Sequence, residues 1–218
     1  MTINLPVGSD SDLDEISKLF VEAEKIIKSI EKLDKGLVSP SVNQLRYLAH
    51  HLIRILQNNI DIEDKKENIK LAKNHCKRSI YDANEVGILY LLTKISNFQA
   101  GYRFISLSKH FNNYPDNLFR INEINKFVEV PLSDGEKIKY YDKVSQHYIE
   151  LRDLSELFES NRSEINKNYL LKIGVGIFVT IILGAIFIPL LSGYFSKMGE
   201  SYFRNNSKDT SAKIELKQ

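Results

Sequence analysis

The first stretch of the sequence that could do chemistry is residues 45–54, LRYLAHHLIR. Arg46 and His50 are four residues apart, so a helix places them on one face, with His51 one position further round. Imidazole exchanges a proton near neutral pH, and a guanidinium group stabilises the negative charge of a phosphate. These are the groups that metal-independent cleavage of RNA requires.

A second stretch, residues 75–82 with the sequence HCKRSIYD, carries His75, Arg78 and Asp82 at i, i+3 and i+7. This spacing also predicts one helix face. If the two helices pair, as their short connection implies, both sets of polar groups could meet along a supporting polar seam. In the alternative interpretation they are surface pairs that contribute a few tenths of a kcal/mol each, and Arg46 and His51 merely flank an apolar face.

Arg46 and His51, separated by four residues, match the Arg-x(4–6)-His pattern of HEPN domains. Residues 75–82 resemble a segment of some bacterial HEPN-like proteins, so the resemblance covers roughly residues 40–95. It implies a helical bundle in which Arg46 and His51 form a ribonuclease pair that acts across a dimer interface. RNA would then be the substrate.

Motifs for other chemistry are absent from the sequence. No glycine-rich phosphate loop follows a strand, and there is neither a Cys-x-x-Cys nor a His-Glu-x-x-His motif. The five histidines do not show a metal-binding spacing. We therefore expect no cofactor and no metal. The formal net charge of +2, from 30 basic and 28 acidic residues, favours neither nucleic acid nor an anionic surface as a partner of the whole chain.

Apolar residues repeat at three and four positions along most of the chain, which predicts amphipathic helices. The first three predicted helices cover about residues 9–33, 39–57 and 61–98. Residues 97–132 hold two shorter helices. Ser133 and Glu136 then form a capping box that opens a long helix. The sequence therefore predicts an all-α fold, a helical bundle followed by a long helix that leads into a single C-terminal transmembrane helix.

Residues 173–196, IGVGIFVTIILGAIFIPLLSGYFS, contain no charged side chain. About 20 apolar residues of helix cross the hydrocarbon core of a bilayer, and lysines flank the run at positions 172 and 197. Gly176, Thr180 and Gly184 lie four residues apart on one face, a spacing that lets membrane helices pack closely. We therefore expect the lipid bilayer as a partner, and a homo-oligomer. The polar residues between Asn161 and Asn168 form a weak point between the long helix and this span.

The predicted organisation has four parts. Residues 1–132 form a cytoplasmic bundle, residues 133–168 a long helix that completes it, residues 169–197 the transmembrane helix, and residues 198–218 a disordered polar tail. The first 15 residues do not resemble a secretory signal peptide, and the one cysteine, Cys76, implies no oxidising compartment. We expect a single-pass protein of the inner (plasma) membrane with its N-terminal domain in the cytoplasm. Three basic residues close to each end of the span leave this orientation open by charge alone.

Three functions fit this organisation. The first is binding or assembly by a membrane-anchored bundle, which could serve a bacterial defence or stress system. The second is a membrane-tethered HEPN-like ribonuclease or toxin that uses Arg46 and His51. The third is injury of the membrane by oligomerised spans, although only Thr180 and Ser192 provide polar side chains within residues 173–195.

Overall fold

The computed structural model describes Pro6 and residues 8–215, with side chains up to residue 198 except that of residue 172. All regular secondary structure in this part of the chain is helical, which confirms the all-α prediction. The helices are α1 (Ser9–Asp34), α2 (Ser39–Ile55), α3 (Ile62–Gly101), α4 (Tyr114–Glu129), α5 (Asp134–Ser160) and α6 (Arg162–Glu215), with a short 3-10 turn at Leu107–Lys109. The chain divides into two compact units, Met1–Arg162 and Ser163–Gln218.

Helix α3 is the centre of the first unit, because α1, α2 and α5 all pack against it. Residues 79–84 of α3 are all buried, whereas a surface helix buries only one stripe. Gly87 lies where two of these helices approach α3. A Cβ atom at Gly87 would lie 2.7 Å from Tyr148 Cε2 of α5 and 3.1 Å from Ile30 Cδ1 of α1. The missing side chain therefore lets both helices pack closely against α3.

Two serines fix the position of α2 along α3. The Ser41 hydroxyl donates to the backbone carbonyl of Ser79 at 2.8 Å, and the Ser79 hydroxyl donates to the carbonyl of Ser41 at 3.0 Å. Both residues are fully buried. Because α2 runs antiparallel to α3, this contact also sets which residues of the two helices face each other further along the seam.

Helix α5 begins at the predicted capping box, but it ends at Ser160 and does not continue to residue 168 as predicted. Ser133 accepts a hydrogen bond from the backbone N–H of Glu136 while Glu136 accepts from the backbone of Ser133, which confirms the capping box. The helix ends at Ser160, and the Asn161 side chain donates to the carbonyl of Leu157 at 2.9 Å. This amide competes with helical continuation, so the predicted weak point is the place where α5 and α6 separate.

Helix α6 makes up most of the second unit. Its segment Arg162–Met198 is long and apolar enough to cross a membrane, and it is the one described helix of which this is true. The helix continues through Pro189, so that residue does not end it as proline often does.

Candidate functional site on the α2–α3 seam

His51 of α2 is held by an amide of α3. Its Nδ1 atom lies 2.9 Å from Asn68 Oδ1, and Asn68 Nδ2 donates to the backbone carbonyl of Asp64 at 2.7 Å. The second bond fixes the amide orientation, so Asn68 Oδ1 is the acceptor and His51 Nδ1 carries the proton. In the neutral ring the lone pair is then on Nε2. His51 thus has the fixed tautomer that a general base requires.

His75 of α3 is held in the same manner from the opposite helix. Its Nδ1 atom lies 2.9 Å from Oε1 of Gln44, a buried residue of α2. The rings of His75 and His51 stack with 5.2 Å between centroids and 16° between planes. Each helix therefore contributes one histidine and one amide, and each amide binds the histidine of the other helix.

Two further rings extend this pair. Tyr47 lies 5.4 Å from His75, and His50 lies 5.5 Å from His51, measured between ring centroids. We call these four residues, Tyr47, His50, His51 and His75, the aromatic cluster. Its two central histidines are half-buried, whereas Tyr47 and His50 are exposed. The cluster thus connects the interior of the seam with the surface of α2.

Arg46 lies on the outer side of α2. It is exposed, donates to Asn43 Oδ1 at 3.3 Å, and lines an open depression together with Asn43, Tyr47 and His50. His51 is not part of that lining. Within one chain, Arg46 therefore shares this depression with His50 and not with His51.

Arg78 and Asp82 are engaged by α5 rather than by α2. Arg78 Nη1 donates to Asp134 Oδ2 at 2.6 Å, and Lys137 Nζ donates to Asp82 Oδ1 at 3.0 Å and to Glu85 Oε2 at 3.1 Å. The predicted polar seam of His75, Arg78 and Asp82 is therefore divided. His75 faces α2, whereas the other two residues attach the first turn of α5 to α3.

The Gly176, Thr180 and Gly184 stripe lies on α6. The Thr180 hydroxyl donates to the carbonyl of Gly176 at 2.9 Å, so its hydrogen-bonding capacity is met within the helix. No described atom outside the local helix lies within 4 Å of where a Cβ would stand at either glycine. The stripe is open, as a surface for helix packing must be.

Two site residues, Gln44 and Asn68, escaped the sequence analysis, since amides on predicted helices are usually exposed. A signal was nevertheless present. Gln44 precedes His51 by seven residues, and Asn68 precedes His75 by seven, so each pair lies on one face of its helix. In an antiparallel pair this repeat places each amide opposite a histidine.

No three His, Cys, Asp or Glu side chains in the described ranges come together to form a possible metal site. Searches of family models, of curated proteins and of solved structures find no match to this chain. The chemistry of the site therefore has to be argued from its own residues.

The pKa of His75 gives a prediction. Burial, the charge of His51 and the charge of Arg78 lower it, and only Asp134 opposes them. Unfolded histidine has a pKa of about 6.5, so as the pH falls through this value the unfolded chain binds more protons than the folded chain. The free energy of unfolding is therefore fully retained above about pH 7 and falls as the pH is lowered.

Urea titrations of the full chain in detergent, followed by circular dichroism, should show this decrease in the free energy of unfolding at low pH. We expect the decrease to be smaller in His75→Gln. His147, whose pKa is lowered by burial and by Arg120, should account for a further part, tested with His147→Gln. A pH dependence in His75→Gln as steep as that of the wild type would show that His75 is not held in its neutral form.

Proposed function

We propose that this chain is a single-pass membrane protein whose helical bundle lies in the cytoplasm and acts in binding or assembly. The observation that supports the anchor most strongly is the exposure of α6. Its most apolar 18-residue window has none of its residues buried, and Phe178 and Leu190 are 64% and 65% exposed. Burying one such side chain contributes about 1.5–3 kcal/mol, so a helix of this kind is stable in lipid and not in water.

The first unit does not need α6 to form a core. Large side chains from α1, α2, α3, α4 and α5 are fully buried within it, among them Ile30, Leu48, Ile80, Ile124 and Leu151. This supports separate roles for the two parts: the bundle performs the function, and α6 anchors it in the membrane.

The exposed face of α2 is the surface that we propose for a partner. Arg46, Tyr47, His50 and Arg54 are exposed on it, together with Ile53. No acidic residue occurs between Asp34 and Asp61. Arginine and tyrosine are enriched where proteins bind partners strongly, and the charge favours a partner that is acidic or carries phosphate groups.

The anchor is tested by alkaline extraction of membranes from cells that express either the full chain or a chain that ends at Asn168. The full chain should stay in the membrane pellet, and the shortened chain should be soluble and helical by circular dichroism. Release of the full chain by alkali would overturn the proposal. An unfolded or insoluble short chain would show that the bundle depends on α6.

Assembly gives a second prediction, for the span. Gly176→Ile or Gly184→Ile adds bulk where two backbones would touch, so self-association of the isolated span should fall in a membrane two-hybrid assay. Ile182→Leu, on the opposite side of the helix from Thr180, is the matched control and should leave the signal unchanged. Equal signals from the glycine variants and the wild type would exclude this face, and assembly would then have to come from the bundle.

The orientation of His51 favours a second candidate function, metal-independent cleavage of RNA as the resemblance to HEPN domains implies. In this mechanism His51 Nε2 takes the proton from a ribose 2′-hydroxyl, and the 2′-oxygen attacks the phosphorus. The bond from phosphorus to the 5′-oxygen breaks, and that oxygen takes a proton from water, which leaves a 2′,3′-cyclic phosphate and a 5′-hydroxyl. Arg46 would hold the phosphate. Because Arg46 and His51 do not line the same depression within one chain, this candidate requires Arg46 from a second copy of the chain. A ribonuclease of this kind would suit a bacterial defence or stress system.

A further inference from the structure

The loop between α3 and α4 holds one phenylalanine in solvent. Tyr102, Ile105, Leu107 and Phe111 are buried, whereas Phe104 is 71% exposed. The loop backbone is fixed by hydrogen bonds, from Ile105 N to Tyr102 O and from His110 N to Leu107 O, each at 2.9 Å. Phe104 is therefore exposed because its neighbours on both sides are anchored in the core.

The surroundings of Phe104 are basic. The Arg103 guanidinium carbon lies 4.7 Å from the centroid of the Phe104 ring, and Lys109 is exposed on the same loop. No acidic residue occurs in the sequence from Val86 to Pro115. An exposed aromatic ring beside cations is the combination that binds the headgroup region of an anionic membrane.

The loop lies at the end of the bundle from which the chain continues toward the span. Arg162, the last residue of the first unit, lies 5.3 Å from the centroid of the Phe98 ring, and that ring lies 4.8 Å from Tyr102. Leu170 follows Arg162 by only eight positions, a rise of about 12 Å in a helix. The chain therefore limits how far this end of the bundle can be from the bilayer.

One carboxylate at this end is already neutralised. Glu159 accepts hydrogen bonds from Arg162 at 2.7 and 2.8 Å, and Lys94 Nζ lies 4.0 Å from it. Glu159 is therefore already paired within the bundle.

We propose that Arg103, Phe104 and Lys109 form a membrane-contact surface, and that its occupant is the anionic leaflet in which the chain's own span begins. Phe104 enters the upper acyl region while Arg103 and Lys109 bind lipid phosphates. This inference rests on the proposed membrane anchor. Its consequence is that the bundle has a second attachment to the membrane, which fixes its orientation and leaves the opposite end of α3 toward the cytoplasm.

The test uses tryptophan fluorescence, because the sequence contains no tryptophan. The full chain with Phe104→Trp is reconstituted into vesicles of anionic phosphatidylglycerol and a phosphatidylcholine brominated near the top of its acyl chains. We expect a blue-shifted emission and a large loss of fluorescence relative to unbrominated vesicles. Leu56→Trp is the matched control. Leu56 is 53% exposed at the other end of α3, whose 40 residues span about 60 Å, and we expect no loss there.

A third variant, Ile182→Trp, reports insertion of the span. Quenching at position 182 together with no quenching at position 104 would overturn the contact surface and leave the anchor standing. No quenching at position 182 would overturn the anchor and this inference with it. Arg103→Glu in the Phe104→Trp chain, or vesicles without phosphatidylglycerol, should reduce the quenching. Unchanged quenching in both would overturn the role of the basic residues.

Discussion

Replacing Lys137 with methionine should lower the free energy of unfolding by about 3 kcal/mol. Lys137 Nζ is 3.0 Å from Asp82 Oδ1, and the Asp82 side chain is only 7% exposed. Removing the cation leaves a buried carboxylate without a partner, which costs about 3–5 kcal/mol. We expect the lower end of this range, because the Lys137 side chain remains 20% exposed.

Urea denaturation of the full chain in detergent, followed by circular dichroism, measures this loss. Lys139→Met, two residues away on the exposed side of α5, is the matched control and should change the free energy by less than about 0.5 kcal/mol. The double variant Asp82→Asn/Lys137→Met should recover part of the loss, because it removes both charges. If Lys137→Met were as mild as Lys139→Met, Asp82 would be solvated and available for chemistry at the seam.

Replacing His51 with alanine should lower the rate of RNA cleavage by about 10²- to 10⁴-fold if the second candidate function holds, the usual contribution of a general acid or base. His110→Ala, in the loop between α3 and α4, is the matched control, because His110 lies outside the α2–α3 seam. A loss confined to His51→Ala would assign the proton transfer to His51. The rate is measured on a single-stranded RNA oligonucleotide with the full chain in vesicles and without divalent metal.

The stability of the same variant separates chemistry from structure. His51→Ala removes the partner of Asn68, which is only 8% exposed, and an unsatisfied buried amide costs about 1–3 kcal/mol. We therefore expect some loss of stability as well. If the wild type cleaves no RNA and His51→Ala only destabilises the fold, the aromatic cluster is structural and the ribonuclease candidate is excluded.

Local features of the sequence predict local features of the fold. The capping box at Ser133 and Glu136 sets the start of α5, and the polar residues from Asn161 onward coincide with its end. Both effects act within about one helical turn, so a single sequence contains all the information that they need. The apolar composition of α6 is a local property of the same kind.

Contacts between distant residues could not be predicted in this way. Lys137 lies 55 residues from Asp82 along the chain, and Asp134 lies 56 from Arg78. Helical periodicity says which residues share a face, and it does not say which helix covers that face. The spacing of His75, Arg78 and Asp82 predicts one seam between α2 and α3, whereas α5 binds Arg78 and Asp82.

The central claim, one membrane crossing with the bundle in the cytoplasm, is tested most directly by labelling cysteines with a membrane-impermeant maleimide. Cys76 should not interfere, because burial raises the pKa of its thiol to about 12 and the side chain is fully buried. Ser207→Cys and Asn58→Cys place one thiol after the span in the sequence and one in the exposed turn before α3. We expect Ser207→Cys to be labelled on intact cells, and Asn58→Cys only after the membrane is permeabilised. Labelling of both, of neither, or of Asn58→Cys alone on intact cells would contradict it.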